Sequence, residues 1–161
     1  MRKSFVLFAL GMCLTLGGCA GEPKVPTVNP AVDCEIEAEM SGTAYDCRVT
    51  YVNDQTAAVT FLSPESLKGI RVSRANGECS LSLGTLLCRS DGGLAGKNAL
   101  PRQLFALLDG VKNTTLTPTE NNEEGCTFTG SLEGQEFTLT TDPGGKPTAL
   151  KSGALSVRFL E

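Results

Sequence analysis

Cys34-Glu35-Ile36-Glu37-Ala38-Glu39-Met40-Ser41-Gly42-Thr43-Ala44-Tyr45-Asp46-Cys47-Arg48-Val49-Thr50-Tyr51 is the stretch on which the fold turns. Cys34, Ile36, Ala38 and Met40 recur at every second position with Glu35, Glu37 and Glu39 between them. That is the period of an extended chain with one dry and one wetted face. After Ser41-Gly42-Thr43 the pattern resumes, with Tyr45, Cys47, Val49 and Tyr51 against Asp46, Arg48 and Thr50. Two such runs joined by a glycine-containing turn predict an antiparallel hairpin. Charges such as Glu37 and Arg48 belong on its solvated side.

The same signal continues along the chain. Asn53-Asp54-Gln55 turns into an apolar run over 57–62 that Ser63-Pro64 ends, and Ile70 and Val72 then face inward between Arg71 and Ser73. Asn76-Gly77 is a two-residue turn signal, because both residues tolerate positive φ. It leads into Cys79, Leu81 and Leu83, and Gly84 allows a reversal into Leu86 and Cys88. With Leu83-Gly84 as a two-residue turn, Cys79 faces Cys88, and this pair is the expected disulfide. Ser90-Asp91-Gly92-Gly93 closes the meander. Pro101 sits at a first helical position, where its missing N–H costs nothing, and Leu100, Leu104, Phe105, Leu107, Leu108 and Val111 follow at helical spacing. Residues 114–125 are polar and read as an exposed loop. Alternation returns over 126–132, 137–139 and 155–159, with a further short run over 148–151 after the loop Asp142-Pro143-Gly144-Gly145.

Nine or ten antiparallel strands and one helix make a mainly β chain of the α+β class, with a single domain over residues 33–161. A helix of about a dozen residues is only ~18 Å long and cannot cover so wide a sheet. The sheet must therefore curl, into a closed barrel or, as expected here, a half-barrel with the amphipathic helix as plug or lid. Ile36, Val49, Tyr51, Phe61, Val72, Phe128, Phe137, Val157 and Phe159 from the strands, with Leu104 and Leu108 from the helix, are the candidate lining of an apolar ligand pocket. Closed on one another, the same side chains form an ordinary core.

Ahead of the domain, Arg2 and Lys3 precede an apolar run over 5–16, and Leu16-Gly17-Gly18-Cys19 follows. Residues 1–18 have the build of a signal peptide, and the apolar run is too short to span a bilayer. Leu16-Gly17-Gly18-Cys19 closely resembles the bacterial lipobox. That resemblance implies cleavage before Cys19, diacylation of its sulfur, and a protein held on the extracytoplasmic face of the cell membrane. Residues 19–32, with Pro23, Pro26 and Pro30, read as the lipidated cysteine and a Pro-rich tether reaching at most ~45 Å.

Composition narrows the chemistry. The chain carries a formal net charge of −4, and without residues 1–18 twelve basic groups face eighteen acidic ones, a net −6. This balance argues against nucleic-acid binding. There is no histidine and no tryptophan, so the commonest general base and metal ligand are missing. No GxSxG nucleophile motif, clustered acid pair or CxxC pair occurs. The reading expects no catalytic residue, metal or cofactor, and leaves the oligomeric state open. Cys34, Cys47, Cys79, Cys88 and Cys126 remain after the leader and Cys19, an odd number, so at least one stays unpaired within the chain.

The run from Val59 through Ser73, the segment from Cys79 to Leu87, the helical stretch 100–111, Cys126-Thr127-Phe128-Thr129-Gly130 and Thr138-Leu139-Thr140-Thr141-Asp142 together resemble small Gram-positive lipoproteins related to the LolA/LolB and LppX/LprG carriers. The resemblance lies in the order of elements over nearly the whole mature chain. It implies an antiparallel half-barrel whose concave face, under a helix, holds acyl chains or a lipidated partner, and hence a lipid or lipoprotein carrier. The residues alone also admit a different class of function, a cell-envelope interaction module whose hollow is filled by its own side chains. Either reading requires the anchor. Metabolic labelling with a fatty-acid probe is expected to mark the wild type and not Cys19→Ala, and label retained by the variant would remove the anchor assignment.

Overall fold

A computed structural model describes residues 24–90, 96 and 98–160. The leader, Cys19 and the start of the tether lie outside the described residues. Eleven strands and one helix follow in the order β1 (Val32–Met40), β2 (Thr43–Asn53), β3 (Thr56–Ser63), β4 (Arg71–Ala75), β5 (Glu78–Leu83), β6 (Leu86–Ser90), α1 (Leu100–Asn113), β7 (Thr117–Asn122), β8 (Gly125–Leu132), β9 (Gln135–Thr141), β10 (Pro147–Ser152) and β11 (Leu155–Phe159). All the strands belong to one antiparallel sheet, ordered β6-β5-β4-β3-β2-β1-β11-β10-β9-β8-β7. It is curled and unclosed, so the expected half-barrel, with a single helix among the described residues, is the architecture observed.

Two meanders, β1 to β6 and β7 to β11, meet where β1 pairs with β11, from Ile36 opposite Phe159 to Met40 opposite Leu155. Every other ladder joins strands that are neighbours in sequence, and β6 and β7 are the two edges. Ser41-Gly42, Asn76-Gly77 and Glu133-Gly134 each place both turn residues at positive φ. That is the two-residue geometry whose twist matches that of the flanking strands.

The hairpin at Gly84 differs from the register expected from the sequence. Leu83 pairs with Leu86, so the turn is Gly84-Thr85, and Cys79 lies opposite Ser90 while Cys88 lies opposite Leu81. Cys79 and Cys88 share a face but are offset by two residues, and both thiols are free. The cause is steric. A turn at Leu83-Gly84 of the kind seen elsewhere in this sheet would put leucine at positive φ, whereas here Gly84 alone takes it, at +57°.

β7 is a second difference, since residues 117–122 fall in the segment expected to be a loop. The strand ends the sheet and has no buried residue, so no alternation marked it. Pro118 is tolerated because an edge strand need not donate on its outer side.

α1 begins with Pro101 in its first turn and lays Leu100, Leu104, Phe105, Leu107, Leu108 and Val111 against the sheet. It packs on β2, β3 and β8, bridging the two meanders. Gly110, costly inside a helix, lets Leu132 of β8 approach to 3.2 Å from where a Cβ would stand. The tail before β1 is also held: Asn29 N–H donates to Gly145 O at 3.0 Å, and the Thr27 carbonyl occupies the space a Gly145 side chain would need.

Gly125, at φ +149°, is the tightest point of the sheet, because a Cβ there would run into the Thr141 carbonyl oxygen. Gly125→Ala is expected to lower stability by about 3 kcal/mol or more, through backbone displacement. Gly134→Ala, at φ +82° with open space around it, is expected to cost about 1 kcal/mol. Urea unfolding midpoints check the ranking.

Candidate functional site

All eleven candidate lining residues face the concave side and are buried, the most exposed being Phe159 at 8 %. Ten of them, Ile36, Val49, Tyr51, Phe61, Leu104, Leu108, Phe128, Phe137, Val157 and Phe159, belong to one packed cluster, and Val72 is buried beyond its margin. Between β3 and β8, therefore, α1 meets the sheet directly and the concave face is packed with the protein's own side chains. Tyr45 and Phe61 stack edge to face at 5.9 Å on its flank.

Cover runs out toward β6. Cys34, Val49, Val59, Val72, Leu81 and Cys88 lie opposite one another in successive strands and so share the concave face. The first four are buried, Leu81 is half-buried and Cys88 is exposed. Leu83 and Leu86, on the same face two residues away, are 44 % and 69 % exposed. No residue of β5 or β6 is fully buried. The outer wing of the half-barrel thus presents an apolar strip that the helix does not reach.

Between the packed centre and this wing stands a polar cluster that the sequence pattern alone did not single out. Asp109 of α1 accepts hydrogen bonds from Arg74 Nη1 on Oδ2 and from Arg74 Nη2 on Oδ1, both at 2.8 Å, and from the Tyr51 hydroxyl on Oδ1 at 2.8 Å. The Arg74 and Asp109 side chains are only 17 % and 22 % exposed. Arg74 also lies 5.3 Å from the centre of the Phe105 ring, a cation–π distance, and its buried Nε has no hydrogen-bond partner. The group ties β2 and β4 to the helix at a fixed rotation. Its signal was present in the alternation: Arg74 falls in phase with Ile70 and Val72, and an inward arginine requires an acid. The outward charges behave as expected, Arg48 pairing with Asp33 at 2.9 Å and Arg158 with Glu37 across the seam.

Burial and the Asp109 carboxylate raise the Tyr51 phenol above its ordinary value. Burial also raises the thiols of Cys34 and Cys126, and pushes Cys47 up to about 12. Such thiols are inert packing groups rather than nucleophiles. Among the described residues no group of His, Cys, Asp or Glu side chains could hold a metal ion, and no helix is long and apolar enough to cross a membrane. A groove of about 520 Å³ lies on the other flank of α1, between Asn98, Arg102, Gln103, Ala106 and Leu107 and the Leu132, Glu133, Gln135 and Ser152 side. Its amide and charged lining suits water better than an acyl chain.

No known protein family and no curated protein matches the chain by sequence. Among solved structures it is similar to an uncharacterized conserved protein from Thermus thermophilus, at TM-score 0.48 and 16% identity over 80% of this chain and 75% of that one. It is also similar to a LolA superfamily protein from Nitrosomonas europaea, at 0.38 and 13% over 76% and 63%. A third likeness is to a domain from Vibrio parahaemolyticus described by outer membrane lipoprotein sorting, at 0.37 and 9% over 75% and 63%. The chain spans less than two thirds of the latter two. At such scores these are likenesses and do not assign this chain to a family.

Two outcomes are expected of the polar cluster. Asp109→Ala, which strands Arg74 and Tyr51, should cost about 3 kcal/mol, and the Arg74→Ala/Asp109→Ala double variant less than the sum of the single ones. Because the folded phenol titrates above the ordinary 10.0, its contribution is complete below pH 10 and is lost as pH rises beyond it. Tyr51→Phe should therefore flatten the alkaline fall in stability above pH 10, and identical slopes for the two proteins would refute this role.

Proposed function

We propose that the chain is a non-catalytic protein anchored through acylated Cys19 on the extracytoplasmic face of the cell membrane, where it takes an apolar group, a lipid or the acyl chain of a lipoprotein, on the uncovered wing of its half-barrel. The observation that carries this reading is the graded ladder from Cys34 to Cys88, in which one continuous apolar face passes from complete burial to open exposure. An aqueous protein gains nothing from exposed Leu83 and Leu86 beside half-buried Leu81 unless something covers them. The strip can bury a chain by area, at roughly 25 cal/mol per Å², and has few polar groups to make it selective. The central residues become available only to a ligand that displaces α1, against the Asp109 cluster.

A second reading is favoured by a specific observation. The centre of the concave face is filled, so the wing also suits docking by the apolar surface of another envelope protein, with no ligand enclosed. The test uses residues 20–161, which lack both the apolar leader and the acylated cysteine, purified without detergent and extracted with organic solvent for mass spectrometry. Carriage predicts lipid at about one per chain, lost in Leu81→Asp when the near-ultraviolet circular dichroism is unchanged. A clean extract, with no melting-temperature shift from added phospholipid, would transfer the assignment to protein docking.

A further inference from the structure

The two strands that end the sheet are built differently. β7 reads Thr117-Pro118-Thr119-Glu120-Asn121-Asn122 and its pairing to β8 shifts register after Pro118. A proline and an irregular ladder are devices that stop further strands from adding. β6 reads Leu86-Leu87-Cys88-Arg89-Ser90 and has a regular ladder to β5. It has no proline and one charge, and Leu86 and Leu87 are 69 % and 53 % exposed. No strand of the described residues lies beyond it.

The direction of its backbone groups follows from the hairpin. Leu83 and Leu86 flank a two-residue turn and so exchange both hydrogen bonds. Bonded and non-bonded pairs alternate in an antiparallel ladder. Cys88 and Ser90 therefore also bond toward β5, while Leu87 and Arg89 present N–H and C=O outward.

We propose that this edge pairs with the same edge of a second copy of the chain, antiparallel, about a twofold axis through Cys88. In a self-pairing, outward residues must meet outward residues. An axis through Arg89 sets that charge against itself, and an axis through Leu87 brings Arg89 against Thr85, which belongs to the turn. The axis through Cys88 overlaps both strands completely. Leu87 of each copy then exchanges hydrogen bonds with Arg89 of the other, four in all. Cys88 faces its own counterpart in a non-bonded pair, with Cα atoms ~4.5 Å apart, at the short end of what a disulfide spans. A second copy is favoured over an unrelated strand because this register is self-complementary along its whole length. The interface is isologous, and with β7 blunted the assembly closes at two. The pairing uses the sheet edge and does not depend on a ligand for the concave face.

Cysteine cross-linking of the full chain in isolated membranes tests it. Oxidised glutathione supplies the oxidant: two Cys88 thiols and one glutathione disulfide give one intersubunit disulfide and two reduced glutathiones. Most of the chain is expected to run as a dimer on a non-reducing gel, none of it in Cys88→Ser, and Cys79→Ser should leave the yield unchanged. Leu87→Pro keeps the thiol but removes an outward N–H, and should reduce the dimer at least tenfold. Register is read separately in a Cys88→Ser background. Chains carrying Leu87→Cys should cross-link to co-expressed chains carrying Arg89→Cys, and neither should cross-link to itself, since like positions are offset by two residues and too far apart. No dimer in the wild type, a dimer indifferent to Leu87→Pro, or self-linking as efficient as mixed linking would each overturn the proposal.

Discussion

The pairing of β1 with β11 is the contact on which everything else rests. Every other ladder joins strands that are neighbours in sequence, whereas this one brings residue 36 to residue 159. Without it there would be two separate meanders, each with one apolar face in water. The seam makes them one sheet, continued by Leu160 N–H donating to Glu35 O at 2.8 Å. α1, which lies between the meanders in sequence, then finds a single surface of the right curvature. Its buried leucines span both halves, Asp109 fastening it to the first and Gly110 seating it on Leu132 of the second. Chain ends and chain middle thus close the same structure from opposite sides.

Helix length decides where the inside ends. Fourteen residues give a rod of about 21 Å, while eleven strands at ~4.8 Å spacing span more than twice that along the curl. α1 packs on β2, β3 and β8, and its hydrogen bonds on the first meander reach as far as Arg74 of β4. An arginine at that boundary suits the place, since its guanidinium meets an acid and an aromatic ring inward while the apolar strip begins beyond it. The filled centre and the bare wing follow from one short helix.

Much of this was legible in the residues. Period-two alternation, with the apolar run over 57–62, marked nine or ten of the strands, helical spacing with Pro101 located α1, and the phase of each run put all eleven candidate side chains on the face that the structure buries. What could not be read has physical causes. β7 buries nothing, so it leaves no periodic mark. The register of Cys79 and Cys88 hung on which side of Gly84 the turn falls, and that depended on the cost of positive φ at Leu83. Asp109 lies beside the apolar stripe of its helix and resembles any solvated acid until Arg74 is seen across from it. Whether the inward residues enclose space or fill it is a matter of volume, on which alternation is silent.

The held tail changes how the domain would stand at a membrane. A Pro-rich tether of this composition implies a reach of ~45 Å, but Thr27 to Asn29 lie along the β9–β10 loop, fixed by Asn29 to Gly145, and the Asn29 side chain accepts from Ala31 N–H. If the chain is anchored at Cys19 as proposed, only residues 20–26 separate that anchor from the held segment, and seven residues reach at most about 25 Å. That is less than the thickness of the bilayer to which it would be fastened. The Gly145 corner would then be the pivot, and whatever such an anchored domain met would have to come within a shallow hemisphere swept about that point.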